Sequence, residues 1–156
     1  MDIKLDKIDK KLLKLLQHKV DVPVSQLAEQ VHLSSTPCWK RIQRLEEQGL
    51  IKQKVALLNE KKLGLNFVGF IQIKTTGHSK EWDKEFLNTV LPFPEIMECF
   101  RMAGEYDYLI KVQVKDLEAF DHFYKKLVAA QPDLQEVTSS IALERLKETH
   151  ELLIEI

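Results

Sequence analysis

The stretch "SSTPCWKRIQRLEEQGLIK", residues 34–52, decides the fold of the first third of the chain. Ser34 is a favourable N-cap, and Pro37 is tolerated in a first helical turn because the amides there have no intrahelical partner. Gly49 stands where a helix C-terminus commonly ends. Three apolar positions at spacing i, i+4 and i+7 then predict one buried helix face: Cys38, Ile42 and Leu45.

Two shorter helical patterns precede this helix. In "LDKIDKKLLKLLQHK", residues 5–19, the apolar side chains recur on one face, with Asp6 as the expected N-cap and Asp9 in the first turn. In "VSQLAEQV", residues 24–31, the apolar spacing repeats, and Pro23 suits the entry of that helix. The link "HLS" is short, so the three helices together predict a helix-turn-helix.

The outward face of the third predicted helix is polar and basic. It carries Thr36, Lys40, Gln43 and Arg44, with Trp39 and Arg41 on its flanks. In the major groove Arg and Lys match guanine acceptors and Gln matches adenine. The predicted DNA-binding residues are Ser35, Thr36, Pro37, Trp39, Lys40, Arg41, Gln43, Arg44, Lys52 and Lys54. For Trp39 two roles stay open, namely packing against the helical scaffold and stacking near DNA.

Lys52 and Lys54 belong to the segment "LIKQKVAL", residues 50–57, which alternates like a strand. A basic strand after a recognition helix is a wing that can grip phosphates. An ordinary solvated face is the alternative for these basic side chains. The three-helix context and the predicted wing favour DNA contact.

Composition and charge agree with a two-domain globular chain. Of 156 residues, 44% are hydrophobic and 30% charged, and the net charge is −1. Residues 1–60 hold 11 Lys/Arg against 8 Asp/Glu, whereas residues 61–156 hold 12 against 16. This asymmetry predicts a DNA-binding domain over 1–60 and a second domain over 61–156. No apolar run is long enough to span a membrane and the N-terminus is unlike a signal peptide, so we expect a cytoplasmic protein.

The second half repeats one pattern twice. A β-rich run, a helical stripe and another strand-like run occupy residues 67–102, and the same order returns over residues 106–143. Ser79 and Asp116 stand where helix N-caps belong. Two such units in tandem predict an α+β domain of ferredoxin-like βαββαβ topology, with helices on one face of an antiparallel sheet. The uncovered face predicts at least a homodimer.

A turn in "RMAGEYDYLIKV", residues 101–112, joins two of these predicted strands. Gly104 permits a tight turn, and Glu105 and Asp107 put carboxylates at its tip. A solvated hairpin turn is one interpretation. The other is a ligand pocket in which Asp107 receives an α-ammonium group and backbone amides receive an α-carboxylate, completed by the hydroxyls of "TSSI", residues 138–141. The spacing alone leaves both open.

Four motifs in order resemble the Lrp/AsnC family, the bacterial and archaeal feast/famine transcription regulators. They are "LDKIDKKLLKLLQ", "LSSTPCWKRIQRLEEQGLIK", "GEYDYLIKV" and "VTSSIALERLKET", and the resemblance runs from about residue 4 to 150. It implies an N-terminal winged helix-turn-helix, a C-terminal amino-acid-binding domain, double-stranded DNA as partner, and dimers that assemble into octamers. It implies no cofactor besides an amino-acid effector. The implied effector residues are Met102, Ala103, Gly104, Glu105, Tyr106, Asp107, Thr138, Ser139 and Ser140.

Two residues depart from the family pattern. His32 stands in the turn where members often have glycine, and histidine tolerates unusual backbone angles better than most residues. Trp39 occupies a position that members usually fill with a smaller aliphatic residue. The segments "WKRIQRLE", "MAGEYDYL" and "FYKKLV" most resemble the cysteine-responsive regulators of cysteine detoxification. The resemblance therefore implies cysteine as the effector to test first.

Other functional classes leave part of the sequence unexplained. An enzyme needs a convergent nucleophile, base or metal cluster, whereas the five histidines are scattered and no Gly-rich phosphate loop is present. Cys38 and Cys99 belong to no metal-binding motif, so we expect small packed side chains. An amino-acid-binding oligomerisation module or a helix-turn-helix adaptor remains the alternative. Salt-dependent DNA affinity separates those classes from a DNA-binding regulator.

Overall fold

The computed structural model describes residues 4–77, 79–131 and 133–155. Two compact units are present: the chain up to Leu57 together with the segment from Lys147, and Leu58–Leu146. The segment from Lys147, which the sequence assigned to the second domain, thus groups with the first unit. The first unit contains α1 (Lys7–His18), α2 (Val24–Gln30) and α3 (Ser35–Glu47). The second contains β1 (Phe67–Thr75), α4 (Lys80–Val90), β2 (Ile96–Arg101), β3 (Tyr108–Val114), α5 (Leu117–Ala130) and β4 (Leu134–Ile141).

A capping box starts α1. The Asp6 carboxylate accepts from the Asp9 amide at 2.8 Å, and the Asp9 carboxylate accepts from the Asp6 amide at 3.2 Å. Asp6 is therefore the N-cap that the sequence predicts. Asp9 also turns inward, leaving 1% of its surface exposed, although charged residues are rarely buried without a partner.

The turn between α2 and α3 gives the helix-turn-helix its geometry. His32 adopts a φ of 56°, which confirms that a residue other than glycine can hold this left-handed position. The Leu33 amide then donates to the Ala28 carbonyl at 2.9 Å. At the far end Gly49 has a φ of 72° and stops α3, as predicted. The three helices close on a common core: Leu12, Leu27, Ala28, Val31, Cys38, Ile42 and Leu45.

The predicted wing strand at residues 50–57 is wrong for the single chain. Residues 52–59 form neither helix nor strand, although their exposed side chains include both predicted lysines. A strand needs a neighbour whose backbone groups complete its ladder. Among the described residues, no such ladder reaches this segment. All of residues 52–59 are exposed, so the alternation of residue types in this segment corresponds neither to alternating burial nor to strand pairing.

The second unit is built on a four-stranded antiparallel sheet in the order β2-β3-β1-β4, which confirms the βαββαβ topology. Ile71 of β1 lies opposite Ile110 of β3 and opposite Ser139 of β4. The predicted caps are confirmed as well, since Ser79 accepts from the Trp82 amide and Asp116 from the Ala119 amide. One face of the sheet packs on both helices through a shared core, which includes Ile71, Ile73, Phe86, Val90, Ile110, Val112, Phe123 and Leu127.

The other face of the sheet, here called the open face, is covered by neither α4 nor α5, although Leu65 and Arg145 contact the buried Gln113 at the end of β3. Register sets Phe100 beside Leu109, Leu109 beside Gln72 and Gln72 beside Thr138 in one row across all four strands. Phe100 is 47% exposed, while Leu109 and Gln72 are half-buried. The open face is thus partly apolar and accessible, as the sequence predicts.

The C-terminal segment completes the first unit along α1. Gln17 donates through Nε2 to the Leu152 carbonyl at 3.2 Å and accepts from the Leu152 amide at 2.6 Å. His18 and Glu151 lie 2.8 Å apart beside this pair. In the described part of the chain, no helix has the length and apolar character needed to cross a membrane.

Candidate functional site

The outer face of α3 presents a polar stripe. Thr36, Lys40 and Gln43 follow the i, i+4, i+7 spacing and are all exposed, because the opposite face is buried in the core. Ser35 and Pro37 are exposed in the first turn. These side chains combine hydroxyl, ammonium and amide groups, which can hydrogen-bond with base edges in a major groove.

The two arginines of α3 bind carboxylates of α1. Arg44 Nη2 donates to Asp9 Oδ2 at 2.5 Å. Arg41 Nη1 donates to Asp9 Oδ1 at 2.9 Å and to Asp6 Oδ2 at 2.5 Å. Each oxygen of the buried Asp9 carboxylate is therefore paired with a different guanidinium, which compensates its burial.

These ion pairs fix the orientation of α3 relative to α1. The pKa of Asp6 is lowered by the Asp9 amide that it caps and then by Arg41. The pKa of Arg41 is raised, chiefly by its hydrogen bond to Asp6. Arg44 nevertheless leaves 46% of its side chain exposed, so donors that are not used by Asp9 can reach a phosphate. Both predicted DNA-binding arginines thus anchor the helix as well.

Trp39 lies on the rim of a groove of about 200 Å³ beside α3. It is 47% exposed and shares the groove with apolar residues of α1 and α2 and the loop between them, including Leu16 and Val22. The geometry therefore favours the scaffold-packing role while leaving the indole partly accessible. Lys54 forms an ion pair with Glu46 of α3, and Lys52 is exposed.

A second cavity, of about 170 Å³, lies beside the turn between β2 and β3. It contains five of the nine predicted effector residues, Met102, Ala103, Gly104, Glu105 and Tyr106. Sequence reasoning missed the other lining residues, Gln72, Tyr108 and Leu109. A Cβ added to Gly104 would meet nothing within 4 Å, so the turn borders open space.

Tyr106 connects this turn to β4. Its hydroxyl lies 3.3 Å from Glu136 Oε1 and 3.5 Å from Thr138 Oγ1. Thr138 pairs with Gln72 in the sheet, so a hydroxyl, an amide and a carboxylate lie near the cavity. Ser140 shares the strand face of Thr138, whereas Ser139 points to the helix side because successive strand residues alternate.

Asp107 holds the turn against β1. Its Oδ2 accepts from the Thr75 amide at 2.7 Å and from the Thr75 hydroxyl at 3.1 Å. Its own amide donates to the Ile73 carbonyl, and its carbonyl accepts from the Met102 amide. The Asp107 carboxylate, which was predicted as a possible partner for an α-ammonium group, therefore contacts β1, the strand that supports the turn.

The cavity-lining residues that were not predicted differ in how clearly the sequence indicates them. Gln72 interrupts an apolar strand between Ile71 and Ile73, and that polar position at the sheet surface was a usable signal. Tyr108 is 2% exposed and donates to Asp83 at 2.8 Å, and burial raises the pKa of Tyr108 to about 12. Within residues 4–77, 79–131 and 133–155, His, Cys, Asp and Glu form no group of three suited to a metal ion.

Two family models match the chain in separate regions. A winged helix-turn-helix DNA-binding model covers residues 5–52, and an Lrp/AsnC ligand-binding-domain model covers residues 68–152. The DNA-binding transcriptional activator DecR of Escherichia coli is 52% identical over 97% of this chain and 99% of its own length. The glutamate uptake regulatory protein of Zymomonas mobilis is 42% identical over 92% and 87%, respectively. Because these relatives are regulators, the prediction of a non-enzyme is confirmed.

Solved structures agree over nearly the whole chain. An AsnC family transcriptional regulator from Agrobacterium tumefaciens has a TM-score of 0.92 at 44% identity, over 96% of this chain and 97% of that one. The regulator NMB0573 from Neisseria meningitidis, solved as a complex with L-Met, has a TM-score of 0.89 at 33% identity over the same shares. The predicted fold class, a winged helix-turn-helix followed by a ferredoxin-like domain, is confirmed.

Proposed function

The chain belongs to the Lrp/AsnC family of DNA-binding transcriptional regulators, and from this premise we propose that its cavity beside residues 102–106 binds an amino-acid effector, with cysteine the first candidate. The observation that carries this proposal is the position of the Tyr106 hydroxyl, 3.3 Å from Glu136 and 3.5 Å from Thr138, next to that cavity. Amino-acid recognition needs an acceptor for the ammonium group and donors for the carboxylate.

The turn that lines the cavity and the β4 groups that Tyr106 contacts beside it suit both ends of an amino acid. The carboxylate of Glu136 and the hydroxyl of Thr138 accept from an α-ammonium group, and amides of the turn donate to an α-carboxylate. The cavity of about 170 Å³ is smaller than the roughly 300–1,000 Å³ of sites for drug-sized ligands, so it suits a small ligand such as an amino acid. Asp107 contributes by holding the turn in position through Thr75.

Cysteine is favoured by side-chain chemistry and by the sequence resemblance. Met102 and Leu109 line the cavity with a polarisable thioether and an apolar side chain, which suit a small thiol-bearing ligand. The segments "WKRIQRLE", "MAGEYDYL" and "FYKKLV" resemble cysteine-responsive regulators. The neighbour solved with L-Met supports an amino acid as the ligand class for this fold.

In the proposed DNA complex, the exposed stripe of α3 reads base edges. Thr36, Lys40 and Gln43 are assigned to bases, since they are exposed on one face of α3. Arg44 and Lys52 are assigned to phosphates, while Arg41 positions the helix through Asp6 and Asp9. Ser35 and Pro37 border the duplex at the first turn, and Trp39 and Lys54 support the helix from its flanks.

A homodimer, extended to an octamer, is the assembly that we propose for this regulator. The exposed Phe100 and its half-buried neighbours on the open face support burial against a second copy. A dimer presents two recognition helices to successive major grooves. Effector binding regulates DNA affinity if the effector prefers one assembly state over another.

The test measures fluorescence anisotropy of DNA from upstream of the protein's own gene, at two salt concentrations and with each of the twenty amino acids. We expect affinity that falls with salt and changes with cysteine. Lys40→Ala/Gln43→Ala should reduce preference for the upstream fragment over unrelated DNA of equal length. A regulator whose DNA affinity no amino acid alters would contradict the effector proposal.

A matched pair of variants tests the pocket itself. Tyr106→Phe removes the hydroxyl beside Glu136 and Thr138, whereas Tyr124→Phe removes a hydroxyl from α5 that lies 3.5 Å from the Val137 carbonyl. We expect Tyr106→Phe to raise the effector concentration needed for half of the response by about 5- to 50-fold, because one polar contact is lost. If both variants needed the same effector concentration for half of the response, Tyr106 would not be part of the effector site.

A further inference from the structure

The outer face of α1 is uniformly basic. Lys7, Lys10, Lys11 and Lys14 lie on the side of this helix away from Leu12 and its apolar neighbours; Lys7 and Lys11 are exposed, and Lys10 and Lys14 are half-buried. The only acidic residue within α1 is Asp9, and it is buried. No exposed residue of the 12-residue helix α1 is acidic, and the carboxylate of Glu151, from the C-terminal segment, lies 2.8 Å from His18 at its last turn.

The other long surface helices of the chain are patterned differently. α4 mixes Lys80 and Lys84 with Glu81 and Glu85, and α5 pairs Lys125 with Asp121 at 2.5 Å. Such mixing is the ordinary pattern of a solvated face. In α1 the lysines stand three and four residues apart, where like charges weakly destabilise a helix. Like charges four residues apart also occur in α4, but there lysines and glutamates lie side by side, whereas α1 has no exposed acidic residue of its own.

Ion pairing inside the first unit strengthens the contrast between the basic surface of α1 and the mixed surfaces of α4 and α5. Asp6 and Asp9 are the acidic residues next to these lysines in the sequence, and their carboxylates are already held by Arg41 and Arg44 of α3. Lys11 donates to the Gln30 carbonyl at the end of α2. Among the described residues, no ion pair involves Lys7, Lys10 or Lys14. An external anion can therefore reach the exposed Lys7 and the accessible parts of the half-buried Lys10 and Lys14.

We propose that the outer face of α1 is a second phosphate-binding surface, which holds duplex DNA flanking the segment read by α3. This inference rests on the proposed DNA contact of α3 and adds a separate surface to it. Lys7 to Lys14 span about 10 Å along the helix axis. That length matches about three successive phosphates on one DNA strand, so the three lysines can each meet one. The contact is independent of base sequence.

Two triple variants of the full chain test this surface. Lys7→Gln/Lys10→Gln/Lys14→Gln removes the proposed contacts and leaves Lys11 in its contact with Gln30. Lys80→Gln/Lys84→Gln/Lys126→Gln removes the same charge from exposed lysines of α4 and α5. Lys and Gln have similar helix propensities, so both variants should retain their helices. Circular dichroism and thermal unfolding verify that the fold is intact.

DNA affinity is then measured against salt on a long upstream duplex and on a short duplex that only one recognition helix can cover. On the long duplex we expect the α1 variant to reduce the slope of log K against log [salt] by about 2 to 3, while the control variant keeps the wild-type slope. On the short duplex all three proteins should have the same slope. Thermal stability of the α1 variant should equal or exceed that of the wild type.

The same slope for the α1 variant and the control on the long duplex would overturn the inference. Lys40→Ala/Gln43→Ala, measured beside them, keeps the two claims apart. If that variant loses preference for upstream DNA while the α1 variant keeps its slope, the recognition helix stands and the second surface fails. If the α1 variant loses slope on the short duplex as well, α1 contacts the segment read by α3, and the flanking assignment is overturned.

Discussion

Asp9 binds Arg41 and Arg44 through different carboxylate oxygens while almost fully buried. Removing one partner of a buried ion pair costs about 3–5 kcal/mol, and partial exposure of both arginines reduces that value. We therefore expect Asp9→Asn to lower the free energy of unfolding of the first unit by about 1–3 kcal/mol. Urea unfolding followed by fluorescence of Trp39, measured in a Trp82→Phe background, checks this value.

A carboxylate on the surface supplies the control for Asp9. Asp121 pairs with Lys125 on α5 with more than half of each side chain exposed. We expect Asp121→Asn to change the free energy of unfolding by less than about 0.5 kcal/mol. If both substitutions proved equally mild, the cluster of Asp9, Arg41 and Arg44 would not be what orients α3.

At the level of elements, β1 passes close to α5 at Gly69. A Cβ at this position would lie 2.3 Å from Cε2 of Phe120, a distance at which the ring or the strand must move. We expect Gly69→Ala to destabilise the second unit by about 1–3 kcal/mol, because overpacking forces side chains out of their preferred rotamers. Thermal and urea unfolding followed by fluorescence of Trp82, in a Trp39→Phe background, measure the loss.

The companion variant Phe120→Leu shows whether the ring causes this loss. In the Phe120→Leu background, Gly69→Ala should cost clearly less than in the wild type, because the smaller side chain leaves room for the methyl group. The difference is the coupling energy of the double-mutant cycle, expected to exceed about 1 kcal/mol. Additive effects would mean that Gly69 is required for another reason, such as its backbone conformation.

Features that depend only on residues close together in the sequence could be predicted. The caps Asp6, Ser79 and Asp116 act within three residues of the amides they bind, so local spacing reveals them. The prediction of a wing strand at residues 50–57 was wrong because alternation of residue types indicates a half-exposed segment but does not supply the neighbouring strand that pairing requires. The contact of Arg44 with Asp9 could not be predicted for a similar reason, since Asp9 lies 35 positions earlier in the chain.

The candidate effector site was predictable only in part. The turn from Met102 to Tyr106 was visible because its residues are consecutive and match a family motif. The approach of Glu136 to Tyr106 depends on the position of β4 beside β1, a contact over 30 residues. No periodicity within one segment encodes that register, so tertiary structure had to provide it.

For the whole molecule, the open face of the sheet determines the expected assembly. Phe100 is 47% exposed there, and a charge at this position would oppose burial against a second copy. We expect Phe100→Asp to shift the protein to smaller species in light scattering after size-exclusion chromatography. Leu117→Asp, at an exposed position on α5 and away from the open face, should keep the wild-type mass. Unchanged mass for Phe100→Asp would exclude this face as the interface.

The sheet order also bears on how the chain matures on the ribosome. β1 is the first strand to be synthesised, yet one of its two neighbours is β4, the last. Gln17, in the first helix α1, likewise forms its two hydrogen bonds with Leu152 only after Leu152 has been synthesised. A nascent chain that pauses before residue 134 therefore exposes an unpaired edge of β1, which is open to pairing with another chain. Pairing with β4 therefore closes an edge of β1 that would otherwise be open to another chain.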